Sequence, residues 1–130
     1  MRSILAAVLA LIFLAIPAQA AKCDLTVGNF LFKATSSQAT VFVASDRALP
    51  IILAKLTEVG KSKGLPPVNG DKVYLAFTKS EAGTSKAGLF VFNDGCLVKD
   101  AVIILPAPVM MRAMVTLGLD ADDFTVQEGA

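Results

Sequence analysis

Cys23 and Cys96 are the only two cysteines in the 130 residues, and whether they pair decides how the amino-terminal end of any fold is held. A disulfide persists in an oxidising compartment, so the question turns on what precedes Cys23. Arg2 supplies a positive charge, Ile4 to Ile16 form an unbroken apolar run, Pro17 interrupts it, and Ala18-Gln19-Ala20 places small residues before a cut. Positive, apolar and small-residue segments in that order are the pattern of a secretory signal peptide. The expectation is a Sec-route signal over residues 1–20, cleavage between Ala20 and Ala21, and a single exported α+β domain over residues 21–130, periplasmic or secreted. A helix from Ile4 to Ile16 would be about 20 Å long against a hydrocarbon core of about 30 Å, so no stable membrane span is expected after signal removal. Lys22, directly before Cys23, argues against a lipid-carrying cysteine.

Export makes one Cys23–Cys96 disulfide the simplest use of the pair. Closing so long a loop restricts the unfolded chain by about 4 kcal/mol in the chain-entropy treatment, a large share of a small domain's net stability. A redox or zinc role needs C-x-x-C spacing or histidine ligands, and the chain contains no histidine. The same absence removes the commonest general base, and with it Ser-His-Asp and Cys-His catalysis. No catalytic residue, cofactor or metal-ligand set is expected.

Without residues 1–20, eleven basic residues balance eleven acidic ones and half the residues are apolar. That composition is globular, and its neutrality gives no basic patch for nucleic acid and no steering toward an acidic membrane surface.

Phe30 to Ala34 and Thr40 to Ala44 are rich in aromatic and β-branched residues, which predicts a hairpin closing through Ser36-Ser37-Gln38 after a turn at Gly28-Asn29. A helix follows, N-capped by Ser45 or Asp46, with Leu49, Ile52, Leu53, Leu56 and Val59 on one face and Gly60 or Gly64 ending it. After a loop at 65–71, Lys72 to Thr78, Gly88 to Asn93 and Cys96 to Leu105 read as a meander, joined by a polar loop from Lys79 to Lys86 and by Asp94-Gly95. Ala107 to Leu117 is a helix so apolar that burial on most sides is expected, and Phe124-Thr125-Val126 is an edge strand or part of a tail. The fold class is therefore α+β: a mainly antiparallel sheet of five or six short strands with two apolar helices packed on one face and one disulfide.

Four groups of residues invite a chemical reading. Gly60-Lys61-Ser62 imitates the end of a P-loop, but Lys55 stands where its first glycine belongs and the motif follows a helix instead of opening one. Asp120, Asp122 and Asp123, with Glu128 beyond, lack the third ligand and the glycine of an EF-hand-like calcium loop, so a solvated acidic turn is expected. Lys79, Ser80, Glu81, Ser85 and Lys86 share one polar loop, where a lysine stays hydrated and protonated. Met110, Met111 and Met114 lie in the apolar stretch from Ala101 to Leu119, read as core strand plus core helix, and methionines can line an adaptable partner groove.

By exclusion, the expected function is non-enzymatic: binding a macromolecular partner, an envelope protein, through a groove at Met110, Met111 and Met114. The alternatives are a small-ligand or lipid site between sheet and helices, and an enzyme whose carboxylates or lysines assemble only in the fold.

Overall fold

The computed structural model describes residues 23–78 and 85–127. The expected signal segment, its expected cleavage point at Ala20-Ala21, residues 79–84 of the polar loop and Glu128 lie outside the described residues.

Where the sequence predicts a strand at Phe30 to Ala34, the chain forms a helix, α1 (Val27–Ser36). Thr26 starts it: its backbone is extended and its hydroxyl accepts the Asn29 N–H at 3.2 Å, an N-cap interaction. Gly28 and Asn29, expected to make a turn, fall in the first turn of this helix. The burial pattern agrees, because Phe30, Leu31 and Ala34 are buried while Phe32 is 67% exposed. A strand would set Phe30 and Phe32 on the same face. Strand-like composition reports fit to a half-buried pleated surface more than backbone preference, and here the cap and the i, i+4 burial override it. Gln38, at φ 59°, then turns the chain into the sheet.

The sheet comprises β1 (Thr40–Ala44), β2 (Lys72–Thr78), β3 (Lys86–Asn93), β4 (Cys96–Leu97), β5 (Ile103–Pro106) and β6 (Phe124–Val126). Its order is β4-β3-β2-β1-β6, with β5 also paired to β3, and every pairing is antiparallel. Asp94 and Gly95, both at positive φ, close the β3–β4 hairpin as their sequence predicts. The single strand expected from Cys96 to Leu105 is interrupted by a 3-10 turn at Lys99–Ala101. An unbroken register would bring Asp100 opposite Leu89; Ile103 stands there instead. The detour buries Ala101 and lets Lys99 pair with Asp24 at 2.5 Å. Phe124 to Val126 is an edge strand, resolving the choice left by the sequence.

Helices α2 (Ala48–Lys61) and α3 (Ala107–Thr116) cover one face. The cap position of α2 is Arg47, not the expected Ser45 or Asp46; Ser45, two residues before it, still accepts the Ala48 N–H on its hydroxyl at 3.1 Å. Gly64, at φ 77°, follows the helix while Leu65 donates back to the Gly60 carbonyl at 2.9 Å. Ile52 and Leu56 of α2, Met110 and Met114 of α3, and Val73, Leu75, Leu89 and Val91 of the sheet form one core. Phe30, Leu31 and Ala34 of α1 pack with Val41, Tyr74, Ala76 and Phe92 on the opposite face. The described residues thus form a three-layer α+β fold, with one helix more than the sequence predicts. Nor is α3 buried on most sides: only Ala107, Met110 and Met114 are buried, and Val109, Met111 and Val115 are exposed.

The Cys23–Cys96 disulfide is present, with Cα atoms 5.5 Å apart. Beside it Leu97 donates to the Leu25 carbonyl at 2.9 Å and Val27 to the Gly95 carbonyl at 3.1 Å. The segment before α1 is therefore laid along β4, which sets α1 over the sheet. Replacing Phe30 by alanine should cost about 3–5 kcal/mol, whereas Phe32→Ala should change stability by less than about 0.5 kcal/mol. Equal losses in denaturant melts would contradict the helix.

Candidate functional site

The helices on the α2–α3 face do not reach across the whole sheet. Between α3 and the β1–β6 edge lies a cleft of about 220 Å³. Its floor is made by strand residues that point to this face: Phe42 stands opposite Leu75 in the β1–β2 register, and the rings of Phe42 and Phe77 meet edge to face at 5.7 Å. Phe124 of β6 extends the floor, while Met111, Met114 and Val115 of α3 form the facing wall with Leu119. Asp120 and Ala121 close the rim.

The helical repeat explains which methionines face the cleft. Met110 and Met114 are four apart and both turn toward the sheet; Met110 is 1% exposed and belongs to the core. Met114 reaches the cleft floor as well, and Met111, one position round the helix from Met110, is 57% exposed on its lip. Val115, four residues beyond Met111, continues the exposed apolar strip. The structure therefore brings Met111 and Met114 together in the cleft and leaves Met110 outside it.

A polar network fixes the rim. Asp123 accepts from Arg47 Nε at 3.0 Å and from Arg47 Nη2 at 2.7 Å. It also accepts from the Ser45 hydroxyl at 3.1 Å and the Asp120 N–H at 3.0 Å. Asp120 in turn caps the short turn at Ala121–Asp123 by accepting the Asp122 N–H at 2.9 Å. The remaining reach of Arg47 goes to the Gly118 carbonyl at 3.0 Å, just past α3. One ion pair thus joins the start of α2, the end of α3 and the entry to β6. Hydrogen bonding from Arg47, then from the Asp120 backbone, holds the Asp123 carboxyl down at about 2, and Asp123 raises Arg47 in return.

No family model, curated protein or solved structure matches the chain. What the site can do rests on its own chemistry. The expected solvated acidic turn is corrected at Asp123, which is 5% exposed and shares both oxygens among four donors. The D-x-x-D spacing of Asp120 and Asp123 is the signal that would have revealed this, as the reciprocal cap of a short helical turn. Among the described residues, no group of three or more His, Cys, Asp or Glu is arranged to hold a metal ion. Gly60-Lys61-Ser62 sits at the carboxyl end of α2, where Ser62 donates to the Val59 carbonyl at 2.7 Å. Of the polar loop, the Ser85 backbone carbonyl accepts the Ala107 N–H at 3.0 Å and Lys86 is exposed, and residues 79–84 lie outside the described residues. Phe42, Phe77 and Phe124 were missed as site residues because they meet only once the strand order is known.

Asp123 titrates lower in the folded chain than its ordinary value of 3.8. Its ionised form therefore stabilises the fold above pH 3.8, and that contribution is lost as pH falls toward about 2. Acid unfolding followed by circular dichroism should show wild type losing stability across this window, and Asp123→Asn should show a shallower loss. Identical slopes would mean that the ion pair does not form.

Proposed function

We propose that the chain is a small exported protein of the cell envelope that binds a macromolecular partner and performs no catalytic step of its own. The observation that supports this reading best is the chemistry of the cleft, whose floor and wall are apolar. General acid–base or nucleophilic catalysis needs titratable groups that converge on a reacting atom. Here the one titratable residue lining the cleft is Asp120 on its rim, and neighbouring Asp123 is held ionised with its oxygens already engaged.

Size favours a protein over a small molecule. Small-ligand sites are commonly about 300–1,000 Å³ and enclose most of the ligand, whereas this cleft offers about 220 Å³ and opens onto Met111 and Val115. A pocket of that size takes a large apolar side chain from a partner, with surrounding apolar surface to exclude water, as interface hot spots do. A lipid tail would need a longer tunnel. Among the described residues no helix is long and apolar enough to cross a membrane. Export is supported by the pattern of residues 1–20 and by a disulfide that an oxidising compartment maintains.

Two measurements test the reading. Mass spectrometry of protein recovered from outside the cytoplasm should give a chain beginning at Ala21 with Cys23 and Cys96 oxidised; retention of residues 1–20 would count against export. Crosslinking in envelope preparations should join wild type to a partner that Met111→Lys fails to capture, since the exposed Met111 can be changed without disturbing the core. Equal capture by both proteins, or saturable binding of a fatty acid, would refute partner binding at the cleft.

A further inference from the structure

We infer that the partner's bound segment is an extended strand that adds to the outer edge of β6, placing an apolar side chain in the cleft and a lysine or arginine against Asp120 and Asp122. This rests on the partner-binding reading and names the partner's chemistry.

The first support is the strand edge. β6 ends the sheet, and no described strand pairs with its outer side. Ser45 donates to the Asp123 carbonyl and Gln127 to the Val41 carbonyl. In an antiparallel ladder hydrogen-bonded residue pairs alternate, so in the pairing of Val43 with Thr125 it is Thr125 that bonds inward. The Val126 N–H and the carbonyls of Phe124 and Val126 are then directed outward. The Phe124 N–H is already used, donating to the Ala121 carbonyl. An incoming strand has one donor and two acceptors to meet.

The second support is that both faces beside this edge are grooved. The apolar cleft lies on the α3 side. On the α1 side a groove of about 280 Å³ runs past Leu31, Thr35, Gln38, Thr40 and Val126. Side chains of a strand point alternately to the two faces. An added strand would send the residue opposite Phe124 to the apolar cleft and the residue opposite Thr125 to the α1 side of the sheet. Backbone bonds with alternate pockets are the arrangement by which sheet edges recognise extended peptides.

Charge chooses among such peptides. Asp120 and Asp122 are exposed and take part in none of the ion pairs among the described residues. Arg47, the nearby cation, is committed to Asp123 and Gly118. The rim therefore carries excess negative charge, with Asp120 lining the cleft itself, and a cation on the partner complements it.

The test is selection of short random peptides, displayed as a library, on the disulfide-bonded protein, followed by fluorescence anisotropy of those enriched. Enriched peptides should share a bulky apolar residue near a lysine or arginine. N-methylation of alternate backbone nitrogens should abolish their binding with every side chain unchanged. Val126→Pro removes an outward N–H at an edge, where proline is tolerated, and should weaken binding about tenfold. Asp120→Asn keeps a capping side chain and should weaken it about threefold. Enrichment of a helical i, i+4 apolar pattern, or no enrichment, would overturn strand addition. So would a dimer in sedimentation that Val126→Pro dissociates, since the edge would then serve a second copy of the chain. Binding that survives N-methylation and Val126→Pro but is lost in Met111→Lys would overturn strand addition and leave partner binding at the cleft intact. If Met111→Lys also has no effect, both readings fall.

Discussion

The pairing of β2 with β3 is the constraint from which the other elements take their places. It runs in register from Lys72–Phe92 to Thr78–Lys86. Val73, Tyr74, Leu75 and Ala76 are buried in succession, which an antiparallel strand achieves only when both its faces are covered. One side demands the aliphatic surface of α2 and α3, and the other demands the aromatic set built on Phe30, Tyr74, Phe90 and Phe92. The close fit leaves little slack: a Cβ on Gly70 would lie 2.5 Å from Val91 Cγ1, and one on Gly88 2.6 Å from the Phe90 ring.

The cleft is the outer limit of that coverage. With ten residues, α3 spans roughly 15 Å at the usual helical rise, and its buried stripe of Ala107, Met110 and Met114 is spent on β3 and β5 neighbours in the main core. Beyond β2 the same sheet face continues through Phe42 and Phe124 without a helix to cover it. The Arg47–Asp123 pair then matters for shape, because it fixes where the chain leaves α3 and re-enters the sheet. A well-packed core and an exposed apolar cleft are two ends of one surface.

Features governed by near neighbours were legible in the sequence. The alternation of β2 and the Asp94-Gly95 turn follow from local rules, and the cysteine pairing follows from counting, whereas Phe124 to Val126 was left between an edge strand and a tail. Phe30 to Ala34 was misread because aromatic residues serve a helix face or a strand face equally well, and the deciding contact is made by Thr26, outside the apolar run. The break between β4 and β5 was invisible for another reason: Val98 to Val102 has no strong turn signal, and the detour buries Ala101 in a core whose other members are remote in sequence. The cleft was half legible. Met111 and Met114 were named, but the aromatic floor comes from three strands far apart in sequence, and the burial of Asp123 depends on Arg47, 76 residues earlier in the chain.

The separation of 73 residues between Cys23 and Cys96 gives the disulfide a place in time as well as in space. A chain delivered amino end first presents Cys23 long before its partner, and α1 long before β3, the strand whose Phe92 it must cover. Until Cys96 arrives, the segment before α1 has no β4 to lie along, and Cys23 remains open to exchange with other thiols and disulfides. Contacts so distant along the chain are slow to close. The bond can therefore close only after the chain has been delivered as far as Cys96, and the β3–β4 turn at Asp94-Gly95 is the last element needed to set the second sulfur beside the first.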